Sequence, residues 1–261
     1  MDETQRALIK AVAQLAPQIY SDALSTAMKQ VGHIGEDALK TFRLILFPLQ
    51  FTGALQDRLA SYINDAVRKV PEDRRIAPQE SMAIQICEKL RTYSEEETFK
   101  TLYINLLARA IDRERVGEAH PAFVNIAAQL APDEVNVIRQ LAEVVEADLI
   151  GRLMVSTRTD TRRDLTYTEA KSKIESKKAM PEFNDTLLRL CVVPEKLAQP
   201  ELFFVFLEHL ISLGIAEFSN DSHLAGYASM AKKKHPGLEF HCIQLSKFGG
   251  LFHSACVAAE A

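Results

Sequence analysis

The chain has 261 residues, 47% of them hydrophobic and 25% charged, with a net charge of −4 and a pI near 6.0. Those values fit a folded globular chain and exclude a disordered or low-complexity one. They also give no global attraction to nucleic acid or anionic lipid, so any such binding must come from a local patch.

With no Trp and only 10 Gly and 10 Pro, the composition favours helices over a turn-rich β fold. The start, "MDETQRALIK", has no basic n-region followed by an apolar core, so a cytoplasmic location is expected. Cys87, Cys191, Cys242 and Cys256 are widely spaced with no CxxC pair, which favours free thiols over a disulfide framework.

In chain order, Leu8, Val12, Leu15, Ile19, Ala23 and Ala27 recur at helical steps and define an N-terminal helix within residues 1–31. The most apolar stretch follows, "TFRLILFPLQFTGAL" (41–55). Phe42 to Leu55 is shorter than the about 20 residues a spanning helix needs, so it reads as a core helix or as an interfacial membrane segment. "GALQDRLASYINDAVRKV" places Leu55, Leu59, Tyr62, Ile63 and Val67 on one face and stops at Pro71. "PEDRRIAP" is a surface connector, and a helix from Pro78 to Arg91 comes next.

"SEEE" predicts a capping box with Ser94 as N-cap and Glu97 as its partner. Phe99, Leu102, Tyr103, Leu106, Leu107 and Ala110 then form a core-facing stripe. Asn105, Arg109 and Asp112 line the flank beside it, as a solvated or hydrogen-bonded edge or as part of a partner surface. Two proline-initiated helices follow, "HPAFVNIAAQL" and "APDEVNVIRQLAEVV", the second turning Val135, Ile138, Leu141 and Val145 inward. Asp133 and Glu134 at its start read as capping residues.

Residues 151–180 change texture, with Thr, Val and charge in short alternating stretches that suit a strand or an irregular excursion. Eight Lys or Arg stand against four acids between residues 152 and 178. Helices from Glu182 to Leu190 and from Pro200 to Leu213 follow, with Gly214 as a left-handed C-terminal cap. "IAEF" and "GLEFHCIQL" read as strands joined by the loop "SMAKKKHPG", and "QLSKFGGLFHSACV" opens the last helix with Ser246 as N-cap. Gly249 in its first turn permits close backbone approach.

The fold class that results is mainly α. An N-terminal multi-helix bundle, residues 1–130, precedes a winged-helix-like α+β domain with a short β-hairpin wing, residues 131–261. As a DNA reader that domain would use "PELFFVFLEHLISL", which has no Lys or Arg and carries Glu201 and Glu208, so it would repel a phosphate backbone. Non-specific contact is left to Arg158, Arg162 and Arg163 of the excursion and to Lys232, Lys233 and Lys234.

No HExxH, Walker A, GxGxxG or G-x-S-x-G pattern occurs. His241 and Cys242 are adjacent on a strand and point to opposite faces, which argues against a zinc site with His253 and Cys256. No catalytic residue, cofactor or metal is expected.

The segments "GALQDRL", "VPEDRRIAPQ", "SEEETFKTLYINLLARAID", "HPAFVNIAAQLAPDEVNVI", "LEHLISLGI" and "LSKFGGLFHSACV" resemble, in order and spacing, the abortive infection alpha family of prokaryotic proteins associated with phage defence. The likeness runs from about Leu49 to Val257 and leaves out the first 48 residues and the 151–180 excursion. It implies a phage-defence setting and carries over no catalytic residues. The expectation is a non-enzymatic protein acting through protein contacts or self-association, with Phe204 and Glu208 on its partner surface. The alternatives are a nucleic-acid-binding winged-helix regulator and a membrane-active effector using residues 42–55.

Overall fold

The computed structural model describes residues 53–93, 96–144, 151–157, 167–177 and 180–258. The expected N-terminal helix, the Ser94 cap, and Arg158, Arg162 and Arg163 lie outside the described residues, as does the apolar stretch except for its last three residues, Gly53 to Leu55. The fold is mainly α with one small three-stranded antiparallel sheet. It divides into two compact units that change over between Ala128 and Gln129.

The first unit holds α1 (Gly53–Arg68), α2 (Glu80–Thr92), α3 (Glu97–Ala110) and α4 (Ala122–Ala127). Its centre is α3. The predicted stripe from Phe99 to Ala110 is buried, and so are Ile104, Asn105, Ala108 and Arg109 between its members. Leu59, Ile63 and Val67 of α1, Ile86 and Leu90 of α2, and Phe123 and Val124 of α4 are among the residues that pack this core. The fully buried Tyr103 donates its hydroxyl to Val124 O at 3.1 Å, so the one polar atom of that ring is satisfied. Helix α3 begins at Glu97, with Glu96 as its N-cap residue, and the Glu97 carboxylate pairs with Lys100.

The second unit runs α5 (Pro132–Ala142), β1 (Arg152–Thr157), α6 (Tyr167–Glu175), α7 (Pro181–Leu190), α8 (Phe203–Ser212), β2 (Ala216–Phe218), α9 (Ser222–Lys234), β3 (Leu238–Leu245) and α10 (Lys247–Phe252), the last continued by a wide turn through Val257. The sheet order is β1-β3-β2, with Leu153 opposite Cys242 and Ala216 opposite Leu245. One core cluster takes Leu153 and Val155 from β1, Ala170 and Ile174 from α6, Leu187 and Leu190 from α7, Leu224 and Ala231 from α9, and Leu238 and Phe240 from β3.

Strands β2 and β3 pair as the strands of a wing would, but the connection between them is not the expected lysine-bearing loop. It is the 13-residue helix α9, with Asp221 as N-cap accepting from Leu224 N at 2.6 Å. Part of the 151–180 excursion is likewise regular, as β1 and α6.

Three local predictions hold. Gly214, with φ +71°, ends α8 in a Schellman motif in which its N–H bonds Ile211 O and Ile215 N bonds Leu210 O, both at 2.9 Å. Ser246 caps α10, its hydroxyl accepting from Gly249 N at 2.9 Å while donating to Gly214 O. A Cβ at Gly249 would lie 1.9 Å from Ile215 O, so only glycine lets the last helix pack this closely on the turn after α8.

Candidate functional site

The residues singled out as a partner surface separate into two groups. Asn105, Arg109 and Asp112 are 2–3% exposed, which corrects the reading of them as a surface. Helix α3 is wrapped on all sides, so its polar flank faces protein.

Arg74 donates to Asp112 Oδ1 through Nε at 3.0 Å and to Oδ2 through its terminal nitrogen. Glu114 N donates to the same Oδ1 at 3.0 Å. Hydrogen bonding from Arg74 holds the Asp112 carboxyl below its ordinary value. Arg109 Nε lies 3.4 Å from Glu118, which Arg115 clasps with two bonds of 3.0 and 2.8 Å. Backbone bonds from Ile76 N to Ile111 O and from Arg113 N to Arg74 O, both 2.9 Å, stitch the "PEDRRIAP" connector to the end of α3. This network fixes a loop; its buried charges face one another rather than a ligand.

Phe204 and Glu208 do belong to an accessible face. Helix α8 buries Phe203, Phe206, Leu207 and Leu210. On its other side Val205 is 58% exposed and Glu208 is exposed, with the exposed Glu201 one turn earlier and Phe204 half-buried at the edge. Phe204 is held edge-on against Phe203, their centroids 5.4 Å apart. His209, on the same helix, directs Nδ1 at the buried Glu134 Oε1, 2.7 Å away.

Glu134 in turn accepts from Ala131 N at 2.6 Å, the reciprocal half of a capping box. Asp133 accepts from Ala198 N and Gln199 N at 2.9 and 2.8 Å. The two acids read from sequence as capping residues therefore also anchor the segment leading into α8, across more than 60 residues of chain. Spacing alone gives no sign of such pairs.

The lysines of α9 have separate tasks. Lys232 pairs with Glu239 at 2.6 Å, Lys234 Nζ sits 4.0 Å from the centre of the Phe183 ring, and Lys233 is exposed. A shallow groove of about 700 Å³ between α6 and α7 is lined by Tyr167, Lys171, Glu175, Glu182, Asp185 and Arg189 among others. Its charges are mixed, and Lys171 is already within 3.7 Å of Glu175.

All four cysteines are free. Burial pushes the Cys87 and Cys191 thiols up to about 12, so both stay protonated at neutral pH and are poor nucleophiles. Burial and a neighbouring carboxylate also raise Cys242. His253 is lowered by burial and by Arg139, which keeps it neutral. Among the described residues no three His, Cys, Asp or Glu side chains gather as a metal site would require. No helix among them is long and apolar enough to cross a membrane.

The class these features define is a mainly α protein of two compact units, with an acidic and apolar helix face on the second. The chain belongs to the abortive infection alpha family, whose model matches residues 53–256. That match begins close to where the motif resemblance began and runs through the 151–180 stretch that the resemblance left out. No curated protein and no solved structure matches the chain.

Proposed function

We propose that this protein serves abortive-infection phage defence in the cytoplasm through protein–protein contact, without catalysis of its own. The observation that carries this reading is the outer face of α8 and the turn before it, which expose Glu201, Val205 and Glu208 with Phe204 at the edge. An exposed valine between two glutamates suits a partner surface with apolar and basic side chains. The Asp133 bonds to Ala198 N and Gln199 N ahead of α8, and the Glu134–His209 pair, the Schellman turn at Gly214 and the Gly249 contact with Ile215 toward its end, hold α8 in place, which preorganises such a face. Family membership supplies the defence setting. The second unit belongs, on this reading, to a winged-helix-like class in which the wing connection has become a helix.

The test is a phage challenge of cells carrying Val205→Asp/Glu208→Lys beside wild type. Protection is expected to be lost while the purified variant melts at the wild-type temperature. Full protection from a normally folded variant would sink the reading.

A further inference from the structure

Two cationic segments far apart in sequence meet at one place in the second unit. Lys177, just past α6, donates its Nζ to Lys234 O at the end of α9. Asn184 of α7 donates to Ile174 O and Lys177 O at 3.0 and 2.9 Å, and its Oδ1 lies 3.1 Å from His235 Nε2. The C-terminal ends of α6 and α9 are thereby fastened to one helix.

Lys173 lies one turn before Lys177, on the flank of α6 away from the groove-lining Tyr167, Lys171 and Glu175. Lys173, Lys177 and Lys233 are exposed. Each helix C-terminus carries roughly half a negative charge, so the two together offset only about one of the positive charges of Lys173, Lys177, Lys233 and Lys234. Lys232 is already matched by Glu239. With the exposed Glu169, one turn before Lys173, also set against these lysines, a smaller surplus of positive charge is left on a protein whose net charge is −4.

Helix α9 has what α8 lacks for meeting a polyanion. It has no acid between Ser222 and Lys234, and its exposed side carries the small Ala225, Gly226 and Ser229 beside the 44% exposed Met230. The aromatic rings nearby are not offered for base stacking. Phe183 is covered by Lys234 and stacks on Tyr227, with 6.3 Å between centroids and planes 12° apart. A face of lysines without a free ring fits a phosphate backbone rather than unstacked bases.

We infer that the C-terminal ends of α6 and α9 form a sequence-independent binding face for the phosphate backbone of a nucleic-acid duplex. The test is fluorescence anisotropy of a labelled, mixed-sequence DNA duplex with the full chain. Neutralising about four phosphates makes affinity fall on the order of 100-fold between about 50 and 200 mM salt.

Lys173→Gln/Lys233→Gln is expected to halve the salt slope roughly, and Lys173→Glu/Lys233→Glu to abolish binding, both with unchanged melting. Neither change touches the Lys177 bond to Lys234 O. Four results would each overturn the inference: no binding at about 50 mM salt, binding that the glutamate variant retains, tighter binding to a single strand, or preference for phosphatidylserine vesicles over the duplex.

Discussion

Gly249 and Gly250 are neighbours in one helix, yet they answer different demands. A Cβ at Gly249 would be driven into the Ile215 carbonyl, 1.9 Å away, whereas a Cβ at Gly250 meets nothing within 4 Å. Gly249→Ala is therefore expected to destabilise by about 1–3 kcal/mol, the usual cost of overpacking. Gly250→Ala is expected to be neutral or to stabilise by up to about 1 kcal/mol through helix propensity. Urea denaturation of the pair checks both signs, and equal effects would mean that the close approach to Ile215 is not a constraint. Asp112 is a second case in which one atom set decides the outcome. Asp112→Asn keeps an oxygen for Glu114 N but removes the charge that Arg74 clasps, so a lower Tm is expected at pH 7. Because Arg74 lowers the Asp112 pKa from 3.8, that contribution is present above this value and fades as pH falls below it. The Tm difference between wild type and Asp112→Asn should accordingly shrink in strong acid.

At the level of elements, the seating of α9 depends on a neutral imidazole. His235 is 3% exposed, and burial together with Lys177 and Lys234 lowers its pKa from 6.5. A lowered histidine binds its proton more readily in the unfolded chain. Stability is therefore intact above about 6.5 and is lost as pH falls from there toward the folded value. His253 is shifted the same way and adds to the effect. Thermal melts of wild type should drop between neutral pH and about 5, and His235→Gln should flatten part of that slope; an unchanged slope would remove His235 from the account. The same helix shows where sequence patterning stops being informative. In "SHLAGYASMAKKK" only Leu224, Ala228 and Ala231 are buried, and two of those three are alanines, so the inward face has almost no hydrophobic contrast. In α6 only Ala170 and Ile174 turn inward. The long apolar stripe of α3, the Gly214 cap and the Ser246 cap were legible because each is a local pattern of strong contrast. The burial of Asn105, Arg109 and Asp112 was not, since it depends on α3 being surrounded, and the Glu134–His209 pair spans 75 residues.

Across the whole molecule, a net charge of −4 conceals two faces of opposite character within the second unit. The α8 face is acidic and apolar, and the joined ends of α6 and α9 are cationic. The side chains that make each contact sit on different helices, Val205 and Glu208 on α8 and Lys173 and Lys233 on α6 and α9, so a change to one face leaves the groups of the other in place. The two proposed functions can therefore be separated in one set of measurements. Val205→Asp/Glu208→Lys should abolish phage protection and leave duplex binding and its salt slope as they are in wild type. Lys173→Glu/Lys233→Glu should abolish duplex binding whatever it does to protection. Should the α8 variant also lose duplex binding at wild-type stability, the two faces would not be independent sites, since distant sites act additively. If instead the lysine variant keeps full protection, duplex binding is dispensable for defence and the α8 contact alone accounts for it.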